Sequence, residues 1–329
     1  MIIFACGGTG GHIQPALTIA SRLKENVYFI GGNRLEKKII TEYPFYEITT
    51  SAKNPFKIIK GFWQSVFLLA RKKPRLVMAT GGYVTVPIGL AAIFLRIPLF
   101  LLEQNSVIGN TNKLLAIFAK KVFLGYPLAE KKHQTTKYII TGNPVPPAKL
   151  KPNIKRNKLL IMGGSQGALS LNKSVLKALP TLEKIGLELI WITGEKNFDL
   201  FAKQLTPTSR KNEYIYQSLP IKLYSYHYNV SSLLPEIKLA ISRSGAMSVA
   251  EMCSYLIPTV FVPFPFATGN HQYFNAKYIA DKQVGIIDTS SDISESLNKL
   301  NLEYDTYLAN LKKLDSGSAL DKIVTNIIY

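Results

Sequence analysis

Two stretches of this chain share one construction: a short apolar run, a cluster of glycines, then a segment with helical spacing. The first is Ile2-Ile3-Phe4-Ala5, then Gly7-Gly8-Thr9-Gly10-Gly11-His12, then Ile13, Ala16, Leu17, Ala20 and Leu23. The second is residues 158–162, then Gly163-Gly164-Ser165-Gln166-Gly167-Ala168, then Leu169, Leu171, Val175 and Leu179. An unbroken apolar run is the mark of a strand covered on both faces. Joined by glycines to a helix, it opens a doubly wound parallel sheet. Residues 27–30, 76–79, 99–102, 121–124 and 138–140 read as further strands of the first series, and 187–192, 239–241 and 259–262 as those of the second. The fold class expected is α/β, with two similar parallel-sheet domains.

Length agrees with this. At about 150 residues per domain, 329 residues make about two domains. Residues 142–156 are rich in proline and lysine and read as the linker. Domains are therefore expected over 1–148 and 149–318. Helical patterns cover 297–314 and 319–328, and Leu320, Ile323, Val324 and Ile327 form one stripe. The break at Ser316-Gly317 lets a closing helix of about 319–329 pack back on the first domain. Only Cys6 and Cys253 are present, which excludes a disulfide scaffold and fits a reducing compartment. The first residues lack the charged n-region of a cleavable signal peptide. Residues 84–102 approach the length of a transmembrane helix, but Pro87, Arg96 and Pro98 interrupt them. A buried helix at 87–94 and a buried strand at 99–102 are expected instead.

Chemistry concentrates in the loops. Glycines in 7–11 permit positive φ and let backbone amides approach a ligand, and the helix behind them favours an anion. No Gly-Lys-Ser/Thr follows, so the loop is not a nucleotide-triphosphate loop of the Walker type. Gly81-Gly82-Tyr83 is a third, weaker loop after its own strand. His12 stands at a helix start, where the dipole disfavours a protonated ring. It is a candidate general base or phosphate donor, against a plain loop-shaping role. Residues 242–251, Ser-Arg-Ser-Gly-Ala-Met-Ser-Val-Ala-Glu, follow a strand and open a helix. The helix start suits a phosphate or sugar, and Glu251 suits the two hydroxyls of a ribose, against a solvated helix carboxylate. Residues 263–275 form a loop rich in amide side chains, which both donate to and accept from sugar hydroxyls. No Asp-x-Asp occurs, so a metal-held diphosphate is not expected.

In order along the chain, segments 7–12, 81–84, 103–105, 142–145, 163–168, 243–251 and 271–276 resemble the motifs of the MurG family. These are the undecaprenyldiphospho-muramoylpentapeptide β-N-acetylglucosaminyltransferases, and the likeness runs from residue 5 to about 290. The resemblance implies a GT-B fold, two Rossmann-like domains facing across a cleft. It implies transfer of GlcNAc from UDP-GlcNAc to the MurNAc 4-hydroxyl of lipid I, with inversion, giving lipid II, and no cofactor. Donor contacts are implied at Thr9, Gly10, Gly11, Asn105, Ser165, His227, Ala246, Met247, Ser248, Val249, Ala250, Glu251 and Gln272. Of these, Glu251 would hold the ribose, Ser165 a donor phosphate and the His227 backbone the uracil. Gly8, Gly81, Gly82 and Tyr83 would face the acceptor diphosphate. The chain departs from the family pattern in having Pro146 where an arginine is usual, Thr85-Val86 in place of small residues, and His227 in place of an aliphatic one. Lys149 or Lys151 is then the candidate replacement for the missing cation.

Charge gives the last expectation. The chain carries 40 basic and 21 acidic residues, a net of +19, and residues 1–148 hold 19 of the basic but only six of the acidic ones. Such a field attracts something anionic. Between Glu47 and Glu103 there are eight basic residues and no acid. That window holds Phe56, Ile59, Phe62, Trp63 and Phe67 beside Arg71, Lys72 and Lys73, the composition of a segment lying on anionic lipid. The competing reading is a core helix with a basic outer face. The partners expected are UDP-GlcNAc, lipid I and the anionic cytoplasmic face of the bacterial inner membrane. A diacylglycerol glycosyltransferase is the runner-up, sharing the nucleotide half only. A nucleic-acid binder is disfavoured, because no basic recognition helix or RNA-binding aromatic motif is present.

Overall fold

The computed structural model describes all residues except 9, 34, 52–53, 131–134, 151–153, 165–166, 315–318 and 329, and the side chain of residue 35. The chain divides into two compact units: Met1–Pro146 with Gly317–Tyr329, and Pro147–Ser316. The division falls two residues before the expected boundary, inside the proline-rich stretch.

The first unit is a seven-stranded sheet. Its strands are β1 (Ile2–Ala5), β2 (Val27–Gly31), β3 (Phe45–Glu47), β4 (Leu76–Ala79), β5 (Leu99–Glu103), β6 (Lys121–Leu124) and β7 (Tyr138–Ile140). All pair in parallel, in the order β3-β2-β1-β4-β5-β6-β7. Helices α1 (Gly10–Ala20), α2 (Leu35–Ile39), α3 (Pro55–Lys72), α4 (Thr85–Phe94) and α5 (Asn110–Leu115) connect them. Side chains alternate along a strand, so each strand feeds two cores. Ile2 and Phe4 join Ile13, Ala16 and Ile19 of α1 on one face. Ile3 and Ala5 join Leu69, Ile88 and Leu115 of α3, α4 and α5 on the other.

The second unit holds β8 (Lys158–Met162), β9 (Glu188–Ile192), β10 (Thr206–Pro207), β11 (Glu213–Tyr216), β12 (Leu219–Tyr224), β13 (Ile237–Ser242), β14 (Thr259–Phe261) and β15 (Gly285–Ile287). Their order is β10-β11-β12-β9-β8-β13-β14-β15, parallel except for antiparallel pairing of β11 with β10 and β12. The helices are α6 (Leu169–Lys177), α7 (Leu179–Ile185), α8 (Phe198–Ala202), α9 (Ala246–Ser254), α10 (His271–Ala280), α11 (Ser294–Leu302) and α12 (Tyr304–Lys313). The single helix expected over 297–314 is therefore two, because Glu303 leaves helical geometry at φ −96°, ψ 19°. The last helix, α13 (Ala319–Ile328), belongs to the first unit, and Leu320, Ile323 and Ile327 enter the core that holds Ile2 and Phe4. Among the described residues no helix is long and apolar enough to cross a membrane.

Candidate active site

In each sheet the strand order reverses at one place, and ligands of open α/β sheets bind beyond the carboxyl ends of the strands there. In the first unit this place lies between β1 and β4, and the loops that leave them are the glycine loops at 7–11 and 81–82. They touch. A Cβ on Gly82, where φ is +86°, would lie 2.2 Å from the Gly7 carbonyl oxygen. A Cβ on Gly7 would lie 2.3 Å from Glu36 Oε1. Neither position has room for a side chain.

Glu36 was not legible in the sequence as a site residue. From α2 it reaches beneath the first loop, is 1% exposed, and accepts the Gly8 N–H at 2.8 Å. The Gly8 amide, expected to turn to an acceptor diphosphate, is thus taken by a carboxylate of the chain itself. No local pattern announces this, since an acid in the first turn of a short helix reads as solvated. Glu36 Oε2 is buried without a hydrogen-bond partner among the described residues.

His12 is half-buried in the first turn of α1, its ring against Gly81 and Gly82, and its Nδ1 is buried without a partner among the described residues. Burial holds its pKa below the ordinary histidine value, while Glu103, Thr80 and Gln104 pull upward. Its backbone is fixed by a relay. The Thr80 hydroxyl donates to the His12 carbonyl at 2.7 Å, the Gln104 amide to the Thr80 carbonyl at 2.7 Å, and the Asn143 amide to the Gln104 carbonyl at 2.9 Å. Glu103 is committed elsewhere. It accepts from the backbone N–H and side-chain amide of Asn105, the Gly109 N–H and the Asn112 amide. A carboxylate holding four donors shapes the 105–109 turn; it is not poised as a base. Gly10, Gly11, Gly81, Gly82, Tyr83 and Asn105 thus gather at this edge with His12, whereas Thr9 lies outside the described residues.

In the second unit the reversal lies between β8 and β13. Beyond it is a cavity of about 660 Å³ lined by Gly163, Gly164, Gly167, Ser170, Lys173, Arg243 and Gln272, among others. Arg243 is buried, donating from Nη1 to the Val262 and Pro263 carbonyls at 2.8 and 2.9 Å and from Nη2 to Ser170 Oγ at 2.6 Å. Burial lowers its pKa. Neither Arg243 nor Lys173 is legible as a contact in the sequence. The loop expected over 263–275 ends where α10 begins at His271, and Gln272 Oε1 in the first turn of that helix accepts the Phe264 N–H at 2.9 Å, tying the helix start to the loop before it. Ser165 lies outside the described residues.

Residues 246–251 open α9. Gly245 caps this helix with no side-chain bond. Met247, Ser248 and Ala250 are partly exposed, whereas the Val249 side chain lies in the core, leaving only its backbone for a ligand. Glu251 Oε1 accepts the Ser231 hydroxyl at 2.5 Å. Burial raises the pKa of Glu251 and the Ser231 hydrogen bond opposes the rise. His227 follows β12 at the same edge of the sheet, its ring edge-on to Tyr224 at 5.3 Å. Lys149 is outside the cavity lining, its N–H donating to the Tyr255 hydroxyl, and Lys151 lies outside the described residues.

Helix α3 has two opposed faces. Gly61, Ser65 and Leu69 are buried, and Phe56, Ile59, Trp63 and Phe67 run down the opposite side, with Phe56 and Phe67 each 79% exposed. Phe62, half-buried, packs edge-on with Trp63 and with Phe94 of α4, which is itself 61% exposed. Arg71 and Lys73 are exposed. Lys72, expected to project with them, lies with Nζ 4.8 and 5.2 Å from the centres of the Tyr28 and Tyr46 rings. Two stacked π faces hold it there.

The chain matches the glycosyltransferase family 28 N-terminal domain over residues 2–124 and the C-terminal domain of that family over 158–323. It is 31% identical to a UDP-N-acetylglucosamine–N-acetylmuramyl-(pentapeptide) pyrophosphoryl-undecaprenol N-acetylglucosamine transferase of Carboxydothermus hydrogenoformans, over 99% of this chain and 92% of that one. It is 30% identical to the enzyme of the same name from Lactiplantibacillus plantarum, over 98% and 97%. The crystal structure of Acinetobacter baumannii MurG superposes with a TM-score of 0.78 at 26% identity, over 99% of this chain and 98% of that one. A UDP-GlcNAc 2-epimerase from Neisseria meningitidis, at 16% identity and a TM-score of 0.67, shares the fold alone. Two α/β domains of the GT-B class, glycine loops at both strand-order reversals, and family matches to each half agree: the chain is a glycosyltransferase and belongs to glycosyltransferase family 28.

Proposed function

We propose that this chain transfers GlcNAc from UDP-GlcNAc to the MurNAc 4-hydroxyl of lipid I, with inversion, forming lipid II for peptidoglycan. The observation that carries this is end-to-end similarity, at 31% identity over 99% of the chain, to a transferase named for that activity. The site supports it in detail. His12, kept neutral by burial, takes the proton of the attacking hydroxyl. Such a base typically contributes about 10²–10⁴-fold. The glycine loop after β8 and the start of α9 meet the donor diphosphate and stabilise the charge that develops as UDP leaves. Glu251 accepts the ribose hydroxyls, and the backbone at His227 meets the uracil. Gly10, Gly11 and Asn105 complete the donor contacts; Gly81, Gly82 and Tyr83 meet the acceptor.

The acceptor is a lipid, so the enzyme works at a membrane surface. The exposed stripe of α3, with Phe94 beside it, enters the cytoplasmic leaflet of the inner membrane while Arg71 and Lys73 meet anionic headgroups. The activity test is UDP release from UDP-GlcNAc with a lipid I analogue, with diacylglycerol, or with neither. Release that requires the lipid I analogue is expected. Release with diacylglycerol alone, or no acceptor-dependent release, overturns the proposal.

A further inference from the structure

The second unit contains an unbalanced charge. No described residue lining its 660 Å³ cavity is acidic, yet Lys173 and Arg243 both line it. Arg243 is 6% exposed, and its recorded acceptors are two carbonyls and one hydroxyl, with no carboxylate among the described residues. A buried cation that no acid among the described residues compensates favours an anion from outside. Lys173 likewise has no acidic partner among the described residues and is exposed.

The fold fixes where these cations stand. Asn172 is fully buried, its side-chain amide donating to the Thr193 carbonyl at 2.8 Å while its oxygen accepts Trp191 Nε1–H at 3.0 Å. That pins the first turns of α6 to the end of β9. Arg243 pins the same helix through Ser170, and Lys173 follows Ser170 by three residues on the same face. The lysine is thereby held at the cavity that Gly163, Gly164 and Gly167 also line.

We propose that Lys173 binds the diphosphate of the nucleotide-sugar donor directly, with Arg243 as the residue that positions α6 and supplies a second positive charge behind it. The proposal rests on the donor reading given above and names a side chain that this reading does not use. A lysine acts on phosphate as a mobile point charge, so it meets the diphosphate without a fixed bidentate geometry.

The test is calorimetric binding of UDP and of uridine to the wild-type protein, Lys173→Gln and Lys173→Arg. Loss of a charge-assisted contact should weaken UDP binding about tenfold in Lys173→Gln. Uridine affinity should not change, and Lys173→Arg should recover most of the UDP affinity. Thermal unfolding of both variants should match the wild type, because the side chain is exposed. Undiminished UDP binding by Lys173→Gln overturns the proposal, as does an equal loss for uridine, which marks a distorted site. A wild-type protein that binds no UDP overturns the donor reading and this proposal with it.

Discussion

His12 combines a buried Nδ1, a backbone tied to Thr80, and a pKa below the ordinary histidine value of about 6.5. These set a pH dependence whose sign is determined. A base must be unprotonated, so kcat/KM falls only as pH drops through the lowered pKa of the free protein, and the acidic limb of the kcat/KM profile should lie below pH 6.5. Stability follows the same direction. Between the two pKa values the unfolded chain binds more protons, so this contribution rises with pH and is lost as pH falls through the folded pKa. His12→Ala should lower kcat at least tenfold, leave donor Kd nearly unchanged and abolish that limb, as read by initial rates from pH 5 to 8. A near-normal kcat would remove His12 from the chemistry. The histidine was legible because it stands next to a glycine cluster. Glu36, Lys173 and Arg243 were not legible as contacts: each depends on which other loop or helix folds over it, and local sequence does not encode that.

Helix α3 shows the same limit at the scale of an element. Its pattern has an apolar stripe and a basic flank, and either a core helix or an interfacial one satisfies that. The structure buries the small face, with Ser65 Oγ donating to the Gly61 carbonyl at 2.7 Å, and leaves the aromatic face exposed. Unbroken apolar strands such as Ile2–Ala5 were legible because both of their faces are covered. The edge strand Thr206–Pro207 and its neighbour Glu213–Tyr216 were not, since neither is buried on both faces and such strands tolerate polar residues. The exposed stripe makes a measurable difference. The protein should sediment with vesicles containing anionic lipid, less so as salt rises, because headgroup attraction is screened. Phe56→Ser combined with Phe67→Ser should reduce that binding at least tenfold with unfolding unchanged, since both rings are exposed in the free protein. Equal binding to neutral vesicles, or undiminished binding by the double variant, would count against docking through this face.

For the molecule as a whole, charge and chain path converge on the first unit. That unit carries 20 basic and seven acidic residues, a net of +13, against 20 and 14, a net of +6, in the second. The polarity suits one unit for an anionic surface and leaves the other to a soluble donor. The first unit is also discontinuous. Leu320, Ile323 and Ile327 of α13 fill the face of the sheet that Ile2 and Phe4 occupy, and Arg75 Nη1 donates to the Ile327 carbonyl at 2.8 Å. Its core therefore needs residues more than 300 positions apart. Ile323 is fully buried, so Ile323→Ala should cost about 2–5 kcal/mol through lost burial and the cavity left behind. The two free cysteines report this separately, for Cys6 is buried in the first unit and Cys253 in the second. In pulsed thiol labelling across a urea series, Ile323→Ala should shift Cys6 labelling to lower urea, with Cys253 as the internal reference. A Cys6 midpoint equal to that of the wild type would mean that α13 contributes nothing to the core it enters. A shift confined to Cys6 would make the last helix a structural part of the first unit.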